Sequence, residues 1–296
     1  MSQVARRLEA AYQKAQVIPF DHRSKFVLIS DCHRGQGNIG DNFLKNQNLF
    51  YGAMDYYDRN GFTYIELGDG DELWENRNMK QIINIHSDAF ALLSRMYKQG
   101  RLYMLYGNHD IVKSRPSFLK KHCTRYYCDM SNRFQPLFPD IQIVESLILE
   151  EKSTKQRLFL VHGHQGDLLN DTLWPLARFL VRYFWRPLEL VGFIAPVGAA
   201  RANEKKDKIE KGLAKFAKKK QQIMIAGHTH RPVFPNPGEG YYFNDGSCVH
   251  PRGMTAIEIE NNQITLVKWL IATREDRSLF VDRQILKGPQ PLLHYQ

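Results

Sequence analysis

Arg101-Leu-Tyr-Met-Leu-Tyr-Gly-Asn-His-Asp110 starts as an apolar run and breaks abruptly into Gly107-Asn108-His109-Asp110. A short apolar run bounded by glycine reads as a buried strand. Its polar end falls where α/β sheets collect ligands, just outside the carboxyl ends of their strands. The shape recurs along the chain. Lys25–Ser30 runs into Asp31-Cys32-His33, and Thr63–Leu67 into Gly68-Asp69-Gly70-Asp71. Arg157–Val161 runs into His162-Gly163-His164, and Gln222–Ala226 into Gly227-His228-Thr229-His230. Five strand ends therefore carry residues of the types that can ligate metals, and the glycines among them allow a sharp turn and a close approach to a ligand.

Outward from these strands, residues 1–17, 42–60 and 79–99 read as helices, and Ile141–Leu149 and Tyr241–Phe243 as further strands. Thr255–Glu260 and Gln263–Ile271 read as a hairpin across Asn261-Asn262. The order is βαβα first and mostly β later. It predicts an α/β fold, a two-sheet sandwich flanked by helices. The chain is expected to form one domain over 1–296, with a helical insert at about 171–220 acting as a cap.

Of the 296 residues, 43% are hydrophobic and 24% charged, an ordinary globular balance that excludes disordered and fibrous classes. Lys+Arg number 41 against 31 Asp+Glu, a net charge of +10. That surplus points to an anionic partner: nucleic acid, a membrane surface or a phosphorylated substrate. Nucleic acid is disfavoured, because the surplus is concentrated in the insert and no separate nucleic-acid-binding motif accompanies it. Four cysteines make no disulfide framework. Cys123 and Cys128 beside His122 are half a zinc site without a second pair, so reduced thiols in a cytoplasmic setting are expected. The N-terminus lacks the apolar core of a secretory signal. Leu173–Ala200 is interrupted by Arg178, Arg182, Arg186 and Glu189, and is too broken to span a bilayer.

The five motifs in this order resemble the calcineurin-like metallophosphoesterase superfamily, from about Lys25 to Ile271. The resemblance implies a metallophosphoesterase sandwich with two divalent metal ions. Asp31, His33, Asp69 and His230 would hold one ion; Asp69, Asn108, His162 and His228 would hold the other, with Asp69 as the bridge. His109 corresponds to the family's histidine at the scissile phosphate, and Asp110 would orient it. Two such ions ~3.5–4 Å apart can clamp an in-line displacement at phosphorus and acidify a water. Mixed imidazole, carboxylate and amide ligands favour manganese, iron or zinc over magnesium without choosing among the three; manganese is the first expectation, with iron or zinc as alternatives.

Arg34, His164, Asp167, Arg178 and Arg182 are candidate substrate contacts. His164 is also an alternative to His162 as a ligand, and Asp71 is either a third carboxylate near the metals or a turn residue. The insert is aromatic and apolar in its first half, broken by Pro175, Pro187 and Pro196. Residues 201–220 then carry a local charge of +6. Such a segment suits an amphiphilic, anionic substrate and peripheral contact with a membrane; a helical hairpin packed on the core is the plain alternative. Within the superfamily the sequence is most similar to the UDP-2,3-diacylglucosamine pyrophosphatase group. It departs from that group's pattern at His109, where an arginine is usual. The expected activity is hydrolysis of a phosphate ester or pyrophosphate, and that similarity implies a nucleotide-lipid such as UDP-2,3-diacylglucosamine as its substrate. The alternative is a phosphoprotein phosphatase or nucleotide phosphodiesterase of the same fold.

Overall fold

The computed structural model describes residues 2–38, 40–128, 131–167, 171, 174–185 and 199–296. Arg186, Pro187, Glu189 and Pro196 lie outside the described residues. The elements in chain order are α1 (Gln3–Lys14), β1 (Gln16–Phe20), β2 (Phe26–Ile29), α2 (Gln47–Arg59), β3 (Thr63–Leu67), α3 (Met79–Ile85), α4 (Ser87–Lys98) and β4 (Leu102–Leu105). There follow α5 (Pro116–His122), β5 (Arg125–Cys128), β6 (Arg133–Pro136), β7 (Ile143–Val144), β8 (Ser146–Glu151) and β9 (Arg157–Val161). The insert contributes α6 (Trp174–Leu180), a π-helical turn over Val181–Trp185, and α7 (Ala199–Lys220). The chain closes with β10 (Ile223–Ala226), β11 (Tyr242–Asn244), β12 (Met254–Glu260), β13 (Gln263–Thr273) and β14 (Leu279–Pro291).

Two sheets carry the fold, a five-stranded one in the order β1-β8-β9-β10-β11 and a seven-stranded one in the order β14-β13-β12-β2-β3-β4-β7. Their packing follows from the two-residue period of a strand. In β2, Phe26 and Leu28 point between the sheets, while Val27 and Ile29 join α2, α3 and α4 on the outer face. In β9, Leu158 and Leu160 point between the sheets, and Phe159 and Val161 meet α1 and α7. Both faces of the central strands are therefore buried, which is why they read as unbroken apolar runs. Each such Leu or Ile contributes about 1.5–3 kcal/mol by leaving water.

Several expectations are corrected. The first helix stops at Lys14, and β1 follows it to pair in parallel with β8. The 79–99 helix breaks at His86, whose ring packs on Phe43 and whose Nε2 lies 2.9 Å from Asp41 Oδ2. The run 141–149 serves two sheets, β7 pairing with β4 and β8 with β9. The hairpin at Asn261-Asn262 is present, with φ of 53° and 56°, the left-handed pair that a two-residue turn requires. All four cysteines are free.

Candidate metal centre

The strands β2, β3 and β4 run parallel, as do β9 and β10, so their carboxyl ends gather at one edge of the sandwich. Pairing continues past the strands. The Asp31 N–H donates to Gly68 O (3.1 Å), His33 N–H to Asp69 O (2.9 Å) and Gly227 N–H to His162 O (3.0 Å). Side chains lock the turns to one another, with His109 N–H donating to Asp69 Oδ1 (2.7 Å) and His228 N–H to Asp31 Oδ2 (2.8 Å). Asp31, His33, Asp69, His228 and His230 all have left-handed backbones, φ 48° to 69°. For residues other than glycine that conformation costs energy and is held only where the surroundings impose it. Gly107 is required for close approach, because a Cβ there would sit 2.2 Å from Asp69 Oδ1.

The structure brings the predicted ligands together. Asp31, His33 and His230 offer atoms within 4.8 Å of one another; so do Asp69, His162 and His228, and a third group, His33, Asp69 and His109, overlaps both. His230 Nε2 lies 3.0 Å from Asp31 Oδ1, and His162 Nε2 3.1 Å from Asp69 Oδ2. His162 Nδ1 lies 2.8 Å from Leu67 O, a hydrogen bond that leaves Nε2 facing the site. Asn108 Oδ1 is buried without a hydrogen-bond partner among the described residues, and Asp31 Oδ1, His33 Nε2 and His162 Nε2 are buried facing only the other imidazoles and carboxylates of the cluster. Buried polar atoms are rarely left so, and an oxygen and nitrogen donor set of this kind fits divalent metal ions.

Charge reinforces the arrangement. Burial would push the carboxyls of Asp31 and Asp69 up, but the surrounding imidazoles outweigh it and hold both well below the usual carboxylate range. His162, opposed by burial, is raised to about 9 by Asp69. His228 is lowered to about 3 by burial and by the His162 charge. Asp245, reached through Ser30, is pushed well up by burial and by Asp31.

Glu72 and Trp74 are functional neighbours that the sequence did not reveal. Glu72 Oε2 lies 3.1 Å from His33 Nδ1 and 2.7 Å from His109 Nδ1. Trp74 stacks on the His109 ring, centroids 4.5 Å apart. His109 keeps 26% of its side chain exposed, and Glu72 and Asp69 raise its pKa against the effect of burial. The only hint was an extra acid after Gly68-Asp69-Gly70-Asp71, with nothing to say which imidazole it faces.

The expectation that Asp110 orients His109 is corrected. The Asp110 carboxylate turns back to accept from Gly107 N–H (2.8 Å) and Lys113 Nζ (2.8 Å), so Glu72 is the carboxylate at His109. Arg34 is also corrected as a substrate contact. It is fully buried, with Nε donating to Asp71 Oδ1 (2.7 Å) and NH2 to Glu66 Oε2 (2.7 Å). Asp71, held at about 2 against burial by Arg34 and Lys113, belongs to that network and is neither a third metal carboxylate nor a simple turn residue.

His164 is buried beside His162, ring centroids 5.6 Å apart, and burial together with the His162 charge holds its pKa well down. Asp167 meets Lys205 of α7 at 2.5 Å. Arg182 donates to the carbonyls of Trp74 (2.9 Å) and Leu73 (2.7 Å), and Arg178 stacks on Trp174.

The sequence model of the calcineurin-like phosphoesterases matches residues 24–232, and the chain belongs to that family. No curated protein matches it. Among solved structures it is similar to a single-mutant Vps29 from Entamoeba histolytica (15% identity, TM-score 0.39, covering 89% of this chain and 99% of that one). It is also similar to Chaetomium thermophilum Vps29 (10%, 0.40, 90% and 98%) and to GAP50, the anchor in the inner membrane complex of Plasmodium (10%, 0.41, 92% and 93%). Likenesses this distant add nothing about function.

Proposed function

We propose that the chain is a divalent-metal-dependent hydrolase of a phosphate ester or pyrophosphate. The observation that carries this reading is the set of buried ligand atoms that converge from two sheets and face one another. Asp31, His33 and His230 would hold one ion, Asn108, His162 and His228 the other, with Asp69 shared. Manganese is the first expectation, with iron or zinc next. When bound, a pair of divalent ions supplies Lewis acidity toward phosphoryl oxygens and lowers the pKa of coordinated water. His109, partly exposed and with its pKa raised by Glu72, contacts the scissile phosphoryl group and delivers a proton to the leaving oxygen. Trp74 fixes the plane of that ring.

A lipid-linked substrate, of the UDP-2,3-diacylglucosamine type, is the finer reading. Its support is the insert, where Leu176, Phe179, Leu180 and Tyr183 are exposed and the basic α7 follows in sequence. Peripheral contact with a membrane in the cytoplasm belongs to the same reading. No helix among the described residues is long and apolar enough to cross a membrane.

The test is metal analysis of the purified protein, joined to hydrolysis of p-nitrophenyl phosphate, bis-p-nitrophenyl phosphate and a UDP-lipid. Asp69→Ala and Asn108→Ala are expected to abolish turnover in a folded protein. Full activity in either variant, or a protein that takes up no manganese, iron or zinc, defeats the reading.

A further inference from the structure

Beside the metal centre is a cleft that the roles above leave unused. It has a volume of about 590 Å³ and lies between Leu73–Arg77, the Val112–His122 segment and the insert. That size suits a group as large as a sugar phosphate or nucleotide. Arg77, Arg115, Lys121, Arg178 and Arg182 line it, and among the described residues no Asp or Glu does. Among the described residues, no ion pair joins Arg77, Arg115, Lys121 or Arg178 to a carboxylate.

The arginines rest on aromatic rings instead. Arg178 and Arg115 lie 4.8 and 5.9 Å from the Trp174 ring centroid, and Arg77 lies 4.9 Å from that of Tyr183. Stacking holds a guanidinium by its face, and a planar fork so held can still bind a phosphate through its N–H edge. Burial and the nearby Arg115 charge both lower the pKa of Arg178, the sign of cations crowded without a counterion. Asn76 adds a buried Oδ1 without a partner on the same wall. The cleft adjoins the metal centre. Leu73 directly follows Glu72, and Arg182 holds the carbonyl of Trp74, whose indole stacks on His109.

We propose that this cleft is a second anion subsite, which takes a phosphoryl group of the substrate other than the one presented to the metal centre. The substrate then carries at least two phosphoryl groups and is not a simple monoester. The inference deepens the hydrolase reading and rests on it for its place in a reaction, but its binding test stands apart from turnover.

The test is calorimetric titration of the full chain, metal-loaded and again after EDTA. The probes are adenosine 3′,5′-bisphosphate, fructose 1,6-bisphosphate and, as monophosphate control, AMP. The bisphosphates are expected to bind about tenfold tighter than AMP or better. That preference falls about tenfold in Arg115→Glu and in Lys121→Glu and is largely kept in Arg115→Lys, as charge-assisted phosphate contacts require. Both mutated positions are exposed, so the fold tolerates the change. A stronger response to the adenosine probe assigns the group to a nucleotide, and a stronger response to the sugar probe to a sugar headgroup; either supports the subsite. Equal binding of mono- and bisphosphates, or a preference untouched by both reversals, overturns it. A preference that survives in a protein hydrolysing nothing would sink the hydrolase reading alone.

Discussion

Replacing Glu72 by Gln tests the site at a residue that touches no proposed metal position. The side chain keeps its shape, and one end can still accept from the N–H groups of Trp74 and Glu75 at 3.2 and 3.3 Å. What disappears is the charge shared by His33 and His109, 3.1 and 2.7 Å from Oε2. Without that acceptor the His33 ring loses the contact that directs its Nε2 toward Asp31. Losing such an outer partner costs about 10–100-fold in metal affinity or activity, or about 1.4–2.7 kcal/mol at ~1.36 kcal/mol per decade.

His109 responds in a second way. Its pKa is raised with Glu72 present, so removing that charge lowers it and the protonated ring is lost at lower pH. The alkaline limb of the pH–kcat/KM profile should therefore move to lower pH. The assay is p-nitrophenyl phosphate hydrolysis across pH at graded manganese. A variant with the wild-type manganese requirement and an unmoved alkaline limb would refute the role given to Glu72.

Gly107→Ala places a Cβ 2.2 Å from Asp69 Oδ1. The displacement of the Asp69 carboxylate, the proposed bridge, should cost about 100-fold in turnover, with manganese binding weakened alongside. Asp58 is held below its usual pKa against burial by Arg101 and Arg95. A carboxylate with a depressed folded pKa stabilises above its unfolded value and loses that contribution as pH falls through the folded one. Asp58→Asn should thus cost about 0.5–1 kcal/mol in neutral thermal melts, a deficit that shrinks below about pH 4. Leu160→Ala empties a fully buried position between the sheets and should cost about 2–5 kcal/mol in denaturant unfolding.

The central strands and their ligand-bearing ends were legible because strands covered on both sides must be apolar throughout, which makes the break into polar residues conspicuous. The edges were not. β1 contains Pro19, tolerated because β1 is an edge strand that among the described residues pairs with β8 alone, and a proline argues against a strand when sequence is read alone. The 141–149 run carries no mark at Glu145, where the chain leaves one sheet for the other. The role of Asp110 was misread because its spacing from His109 says nothing of direction; the turn at Gly107 and the buried Lys113 decide it. Glu72 was missed because its partner His33 is 39 residues away and meets it only through the three-dimensional fold.

Asp31, His33 and Asp69 hang from one β layer; His162, His228 and His230 hang from the other. Cations seated among them would act as a rivet through the two layers at their open rim. Stripping them with a chelator should let that rim breathe. Amide hydrogens at Val161 and Ala226 would then exchange sooner, while those at Leu158 and Ile223, at the far ends of the same strands, keep their pace.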